Sequence, residues 1–303
     1  MKKIYICHTV YHLLITMCHV DWCEESQLLL FDSIRDRELL VERLRSLNYT
    51  GTIFLEDETC TNYEQYDLKA DSDIYLFNDW THIGQYLRRH KIPHYLLEDG
   101  YNYYAYHSYP DEFSRLRQIY YFIFRNYLPF GYSKHAKQIE LNSIDVLKET
   151  DKRRKKCKEV PRVELFSNLS DPQKERLLAL FAVEPIEVGP QDSLLVLTQP
   201  LYQDGLPGFE TAEQQLAFYQ EIVDSYKDNR TIYFKVHPRD QVDYSAIKGV
   251  IFLKQNVPME LYEFVGKYYF DTGITHSSTA LEYLSCVGEK IVLWDMRGKM
   301  CEK

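Results

Sequence analysis

Three short stretches combine residue types that can move a proton or hold a negatively charged group. Lys235-Val236-His237-Pro238-Arg239-Asp240 follows the apolar run Thr231-Ile232-Tyr233-Phe234. Proline has no N–H and cannot continue a ladder, so the chain turns out of a strand there, leaving Lys235 and His237 at or near its carboxyl end. Open α/β sheets bind ligands at that edge. Asp271-Thr272-Gly273-Ile274-Thr275-His276-Ser277-Ser278-Thr279 reads as a strand, a turn and a helix start, where free N–H groups and the positive helix end suit an anion. Ordinary N-capping by Ser277 and Ser278 uses the same geometry. Glu98-Asp99-Gly100 closes a third strand and sets a carboxylate over the sheet edge, where a general base would act. Side chains alternate along an extended chain, so only one of the two acids faces a ligand. Asp-Gly is also a common turn signal, and a plain strand-ending turn stands beside the catalytic reading. A titratable imidazole and a hydroxyl-rich helix start in one half of the chain suggest a phosphate-bearing ligand.

The elements that must position these groups alternate. Strands are predicted over 2–7, 27–31, 52–55, 74–77 and 93–97, with helices over 13–20, 35–47 and 80–90 between them. After a basic run at 151–158 and a polar helix with a Ser-Asp-Pro start, strands follow over 193–198, 231–236, 250–253, 268–271 and 290–294. Helices over 213–226, 259–265 and 280–284 separate them. The expected fold is α/β, with two Rossmann-like domains facing a cleft: 1–155, a linker and helix over 156–189, and 190–303. A chain of 303 residues supports two cores more readily than one. No Gly-x-Gly-x-x-Gly is present, so a dinucleotide fingerprint is absent. The segment 101–132 is rich in Tyr and Phe and reads as core, or as a helix lining an acceptor groove. The run at 151–158 reads as a solvated face or linker; attraction to anionic lipid is its other reading.

Composition excludes several classes. A net charge of −9 argues against broad nucleic-acid binding. Seven cysteines without a Cys-x-x-Cys pair argue against a disulfide framework or structural zinc and suit a reducing cytoplasm. His8, His12 and His19 interrupt the apolar stretch near the start, which therefore does not read as a secretory leader.

The order acid-acid-glycine, His-Pro, Ser-Ser across two α/β halves resembles the bacterial sialyltransferases, above all glycosyltransferase family 52. The resemblance implies the two-domain GT-B architecture, with an acceptor-side first domain and a nucleotide-sugar-binding second domain. It implies an inverting transfer of sialic acid from CMP-sialic acid to a galactose-type hydroxyl of a capsule or lipooligosaccharide. Glu98 would be the base, with Asp99 in reserve, and His237 would face the cytidine monophosphate leaving group. Gly100, Lys235, Pro238, Arg239, Gly273, Ser277, Ser278 and Thr279 would surround the donor, and Glu260 would hold the ribose hydroxyls. No cofactor or metal is required. Asp71-Ser72-Asp73 matches the Asp-x-Asp of metal-dependent glycosyltransferases but precedes a strand, at the wrong edge. The expected partners are the nucleotide-sugar donor and a glycan acceptor, with no nucleic acid. Peripheral attachment at the inner face of a membrane and a homodimer stay open. The rivals are another GT-B glycosyltransferase, a CDP-polyol phosphotransferase and a non-catalytic nucleotide-sugar-binding protein.

Overall fold

The computed structural model describes residues 2–22, 25–100, 102–105, 115–120, 130–184, 188, 192–265, 268–278 and 280–294. The chain forms two compact units, Met1–Leu180 and Phe181–Lys303, each built on a parallel sheet.

The first unit carries β1 (Lys3–Cys7), β2 (Ser26–Phe31), β3 (Thr52–Glu56), β4 (Asp73–Leu76), β5 (His94–Leu97), β6 (Ala136–Leu141) and β7 (Cys157–Glu159). They form a seven-stranded sheet in the order β3-β2-β1-β4-β5-β6-β7. Direction along the sheet reverses between β1 and β4, which makes that gap the topological switch point. Helices α1 (Val10–His19), α2 (Arg37–Ser46) and α3 (His82–Arg89) connect the first strands. Two of them start at threonine caps: Thr9 accepts from His12 N and Thr81 from Gly84 N, each satisfying an otherwise orphaned donor. Strand interiors such as Leu28-Leu29-Leu30 are fully buried, as expected for a parallel sheet covered on both faces. Each such side chain contributes roughly 1.5–3 kcal/mol of burial free energy.

The second unit carries β8 (Ser193–Leu197), β9 (Thr231–Lys235), β10 (Val250–Leu253), β11 (Phe270–Thr275) and β12 (Val287–Val292). Its sheet runs β10-β9-β8-β11-β12, and each adjacent pair is parallel. The switch point here lies between β8 and β11. The capping box of Thr211 and Gln214 starts its long helix (Ala212–Tyr226). That helix packs Tyr219 and Val223 onto Leu194, Val196, Ile232 and Phe234.

Two differences from the sequence expectation concern the middle of the chain. The range 156–189, expected as a linker and a polar helix, holds that helix as Asp171–Phe181 and, besides it, β7 of the first sheet and the helix Arg162–Ser167. The basic run is not a solvated face throughout. Arg153 is buried, pairs with Asp151 and donates to the carbonyls of Phe130 and Tyr103 at 2.9 and 2.7 Å. Arg154 donates to Ile144 and Leu147 carbonyls, and Lys156 to those of Gly131 and Ser133. These donors tie loops of the first unit together, because buried carbonyls need partners. Most of 101–132 lies outside the described residues; within it, Tyr103, Tyr104 and Phe130 belong to the first core. Among the described residues no helix is long and apolar enough to cross a membrane.

Candidate active site

In the first unit the groups of interest gather at the carboxyl ends of β1, β4 and β5, beside the switch point. Glu98 and Asp99 follow β5 and diverge, as alternation requires. Glu98 is only 5% exposed. It accepts from Tyr104 Oη at 2.6 Å and from the backbone N–H of Asn142, so it points along the sheet towards β6. Burial pushes its pKa up, against the pull of the nearby Arg162 guanidinium. Asp99 turns the other way, towards β1 and β4, and its side chain is 23% exposed. Its Oδ1 lies 2.9 Å from His12 Nε2. The Asn78 amide, oriented to satisfy both of its ends, donates to Asp99 Oδ2 at 2.6 Å.

The protonation of His12 follows from its neighbours. His8 N donates to His12 Nδ1 at 3.1 Å, so Nδ1 carries a lone pair and Nε2–H donates to Asp99. The ring is fully buried and stacks on Phe77 at 4.0 Å. Burial lowers its pKa, with Asp99 opposing, which keeps it a neutral donor near neutrality. Asp99 is thereby a carboxylate fixed in direction and open to solvent, the form a general base needs. The expectation that Glu98 is the base meets a physical obstacle. One of its oxygens is consumed by two donors, and the side chain faces away from the switch point. Gly100 has φ +56°, the left-handed conformation glycine adopts at least cost, and among the described residues no atom stands within 4 Å of where a Cβ would lie. It serves the turn. Asp71 and Asp73 fall at the amino end of β4, the opposite edge from Asp99.

In the second unit His237 follows the end of β9. Its Nδ1 accepts from Arg239 N at 3.1 Å, so Nε2 carries the hydrogen and is the ring's remaining donor. Burial lowers its pKa to about 4, helped by the positive charges of Arg239 and Lys235. The backbone around it is pinned. His237 N donates to Thr198 Oγ1 at 2.9 Å, and Gln255 Nε2 donates to the carbonyls of His237 and Asp240 at 2.8 and 3.0 Å. Asp240 Oδ2 collects Thr198, Gln215 and Tyr244 at 3.0, 2.9 and 2.8 Å. Pro238 ends the extended run, and exposed Arg239 pairs with Asp204 at 3.2 Å.

Ser277 and Ser278 follow β11. Ser277 Oγ lies 3.1 Å from His276 Nδ1, and Ser278 Oγ accepts from Ala280 N at 3.2 Å. The helix after them, Ala280–Tyr283, has only four residues, too few for the dipole expected of it. Thr279 lies outside the described residues.

Two residues expected around the donor have structural occupations instead. Lys235 is buried, and its Nζ donates to the carbonyls of Lys254 and Gln255 at 2.6 and 2.7 Å. Burial lowers its pKa to about 7, opposed by Glu260. Its ammonium is spent on the loop after β10. At Gly273 a Cβ would meet Leu281 Cδ1 at 2.6 Å and Val287 Cγ1 at 2.8 Å, so the glycine admits close packing within the sheet. Glu260 opens the short helix Glu260–Val265, and its charge acts on Lys235.

Sequence reasoning did not single out His8, His12, Asn78 or Asp240 as site residues. The two histidines entered only as interruptions of an apolar stretch. Their position at a strand–helix junction, four residues apart, was the available signal.

A family profile described as Glycosyltransferase family 52 matches residues 36–297. Among solved structures, an alpha/beta-galactoside alpha-2,3-sialyltransferase from Photobacterium phosphoreum is similar over 95% of this chain and 89% of its own. The identity is 14% and the TM-score 0.57. A UDP-GlcNAc 2-epimerase from Methanocaldococcus jannaschii aligns over 100% of this chain and 91% of its own, at 12% identity and a TM-score of 0.47. No curated protein sequence matches. The first of these likenesses agrees with a GT-B-like α/β fold.

Proposed function

Since the chain belongs to glycosyltransferase family 52 and is therefore a glycosyltransferase, we propose that it moves sialic acid from CMP-sialic acid to a galactose-type hydroxyl of a surface glycan, with inversion. The observation that carries this reading, given the family, is the carboxylate of Asp99 fixed by His12 at the carboxyl edge of the first sheet. In the reaction the acceptor oxygen attacks the anomeric carbon, and the bond from that carbon to the phosphate oxygen breaks. Asp99 takes the acceptor proton as the nucleophile forms, and the electron pair of the broken bond leaves on cytidine monophosphate. His237 offers its Nε2–H to the departing phosphate oxygen as a neutral donor, and Ser277 and Ser278 add hydroxyls around the same charge. Glu98 holds the end of β5 against β6, while Arg239 and Glu260 remain as donor contacts to the phosphate and ribose.

Written this way the transfer needs no metal, so EDTA is expected to leave the rate unchanged; strong inhibition reversed by a divalent cation would overturn that part. Purified protein incubated with CMP-sialic acid and lactose should release CMP and form sialyllactose. Transfer from a different sugar nucleotide, with CMP-sialic acid left intact, would reject the donor assignment.

A further inference from the structure

A second imidazole stands beside the His12–Asp99 pair and has no role in the proton transfer just described. His8 follows β1, and its side chain is 6% exposed. The ring stacks on Phe31 at 4.1 Å. Its Nδ1 lies 2.7 Å from Glu58 Oε1. Ser33 Oγ donates to the same carboxylate oxygen at 2.6 Å, and Glu58 N donates to Asp32 Oδ1 at 3.0 Å. The pair is thus built from the carboxyl ends of β1, β2 and β3, across the switch point from β4 and β5. Glu58 brings it to the surface, since its side chain is 39% exposed.

The Nε2 atom of His8 is buried and has no hydrogen-bond partner among the described residues. A buried polar atom left unpaired costs about 1–3 kcal/mol, so native structures rarely keep one without a purpose. With Nδ1–H donating to the Glu58 carboxylate, that tautomer carries a lone pair at Nε2. The comparison with His12 is direct: there the second nitrogen is filled by Asp99, and here it is empty. The two rings stand edge to face, with their centroids 6.3 Å apart.

We propose that His8, held by Glu58, is an acceptor-recognition residue whose Nε2 accepts a hydrogen bond from a glycan hydroxyl neighbouring the one Asp99 deprotonates. The ligand class is a polyhydroxylated sugar, because the reaction proposed above takes a glycan acceptor and a lone pair held in place through Glu58 accepts from a hydroxyl. The inference rests on the transfer reaction proposed above. A site that hydrogen-bonds a particular hydroxyl discriminates strongly against the analogue lacking it.

The experiment measures acceptor kcat and KM for wild type, His8→Ala and Glu58→Gln, with lactose and a set of monodeoxy lactosides. Wild type should handle one monodeoxy acceptor about tenfold or more worse than lactose, a tenfold loss being about 1.4 kcal/mol. His8→Ala should handle that analogue no worse than lactose, with its acceptor KM for lactose raised by a similar factor. Equal discrimination by both proteins across the whole set would overturn the proposal. Should His8→Ala lose its cooperative melt, Glu58→Gln carries the test, since it keeps the stacked ring and frees its tautomer. Relaxed discrimination supports the proposal, and undiminished discrimination overturns it. If wild type uses another sugar nucleotide, the donor assignment fails by itself, and the same acceptor comparison run with that donor still decides about His8.

Discussion

Both sheets present a titratable side chain at their carboxyl edge, yet they hold it by opposite means. In the first unit Asp99 is held through its own side chain, by His12 and Asn78. In the second, His237 is held through its backbone, by Thr198 and Gln255, and at the acceptor nitrogen of its ring by Arg239 N, while Asp240 fastens the turn with three neutral donors. The difference follows from charge. A carboxylate has several lone pairs and stays ionised when donors surround it, so side-chain anchors cost it little as a base. A neutral imidazole has one N–H to give, and anchoring it through the backbone leaves that donor for a ligand.

The largest effects should separate the two acids. Asp99→Asn is expected to lower kcat for transfer by about 10³-fold, within the 10²–10⁴ ascribed to general bases, with donor KM nearly unchanged. Glu98→Gln should cost less than tenfold, because its neighbours Tyr104 and Asn142 can still be engaged by an amide. If Glu98→Gln were the more damaging of two well-folded variants in steady-state kinetics, the assignment would pass to Glu98, whose raised pKa would then suit the role. His237→Ala should follow at about 10²-fold in kcat, as expected for removing one preorganised donor. A variant that kept full turnover would remove His237 from the reaction.

The anchors should register in stability. Asp240→Ala orphans the donors of Thr198, Gln215 and Tyr244, so urea unfolding should show a loss of about 2–4 kcal/mol. Gly273→Ala should lose about 1–3 kcal/mol through overpacking against Leu281 and Val287, with donor KM unaffected in the folded fraction. A raised donor KM at full stability would restore Gly273 to the donor site.

The smallest effect concerns pH. The folded state holds His237 near a pKa of about 4, against an ordinary 6.5. Between those values the unfolded chain binds more protons, so stability should fall as pH drops from about 6.5 towards 4. Burial of His12 and His94 adds to the same trend. His237→Gln should make the decline of the urea midpoint shallower; an unchanged slope would mean that His237 titrates normally.

Much of the fold was legible because buried parallel strands read as apolar runs. The strands opened by Lys3, Ser26, Thr52, Asp73, His94, Ser193 and Thr231 lie within a residue or two of expectation. β6 and β7 were not: Lys137 and Gln138 interrupt the first, and Cys157–Glu159 has only three residues, two of them exposed. No apolar period exists there, and pairing with a neighbouring strand alone makes them strands.

The amino-acid order by itself determined the α/β alternation and the arrival of Glu98, Asp99, His237 and Ser277 at strand ends, because strand periodicity and proline are local properties. It could not determine which acid turns towards the switch point, that Lys235 spends its charge on two carbonyls, or that Arg153 folds inward. Those outcomes depend on partners far away in the chain: His12 and Asp99 are 87 residues apart, and Glu98 meets Asn142 across 44. Only the completed sheets bring such groups within hydrogen-bonding distance, and there the requirement that buried polar atoms be paired decides each direction.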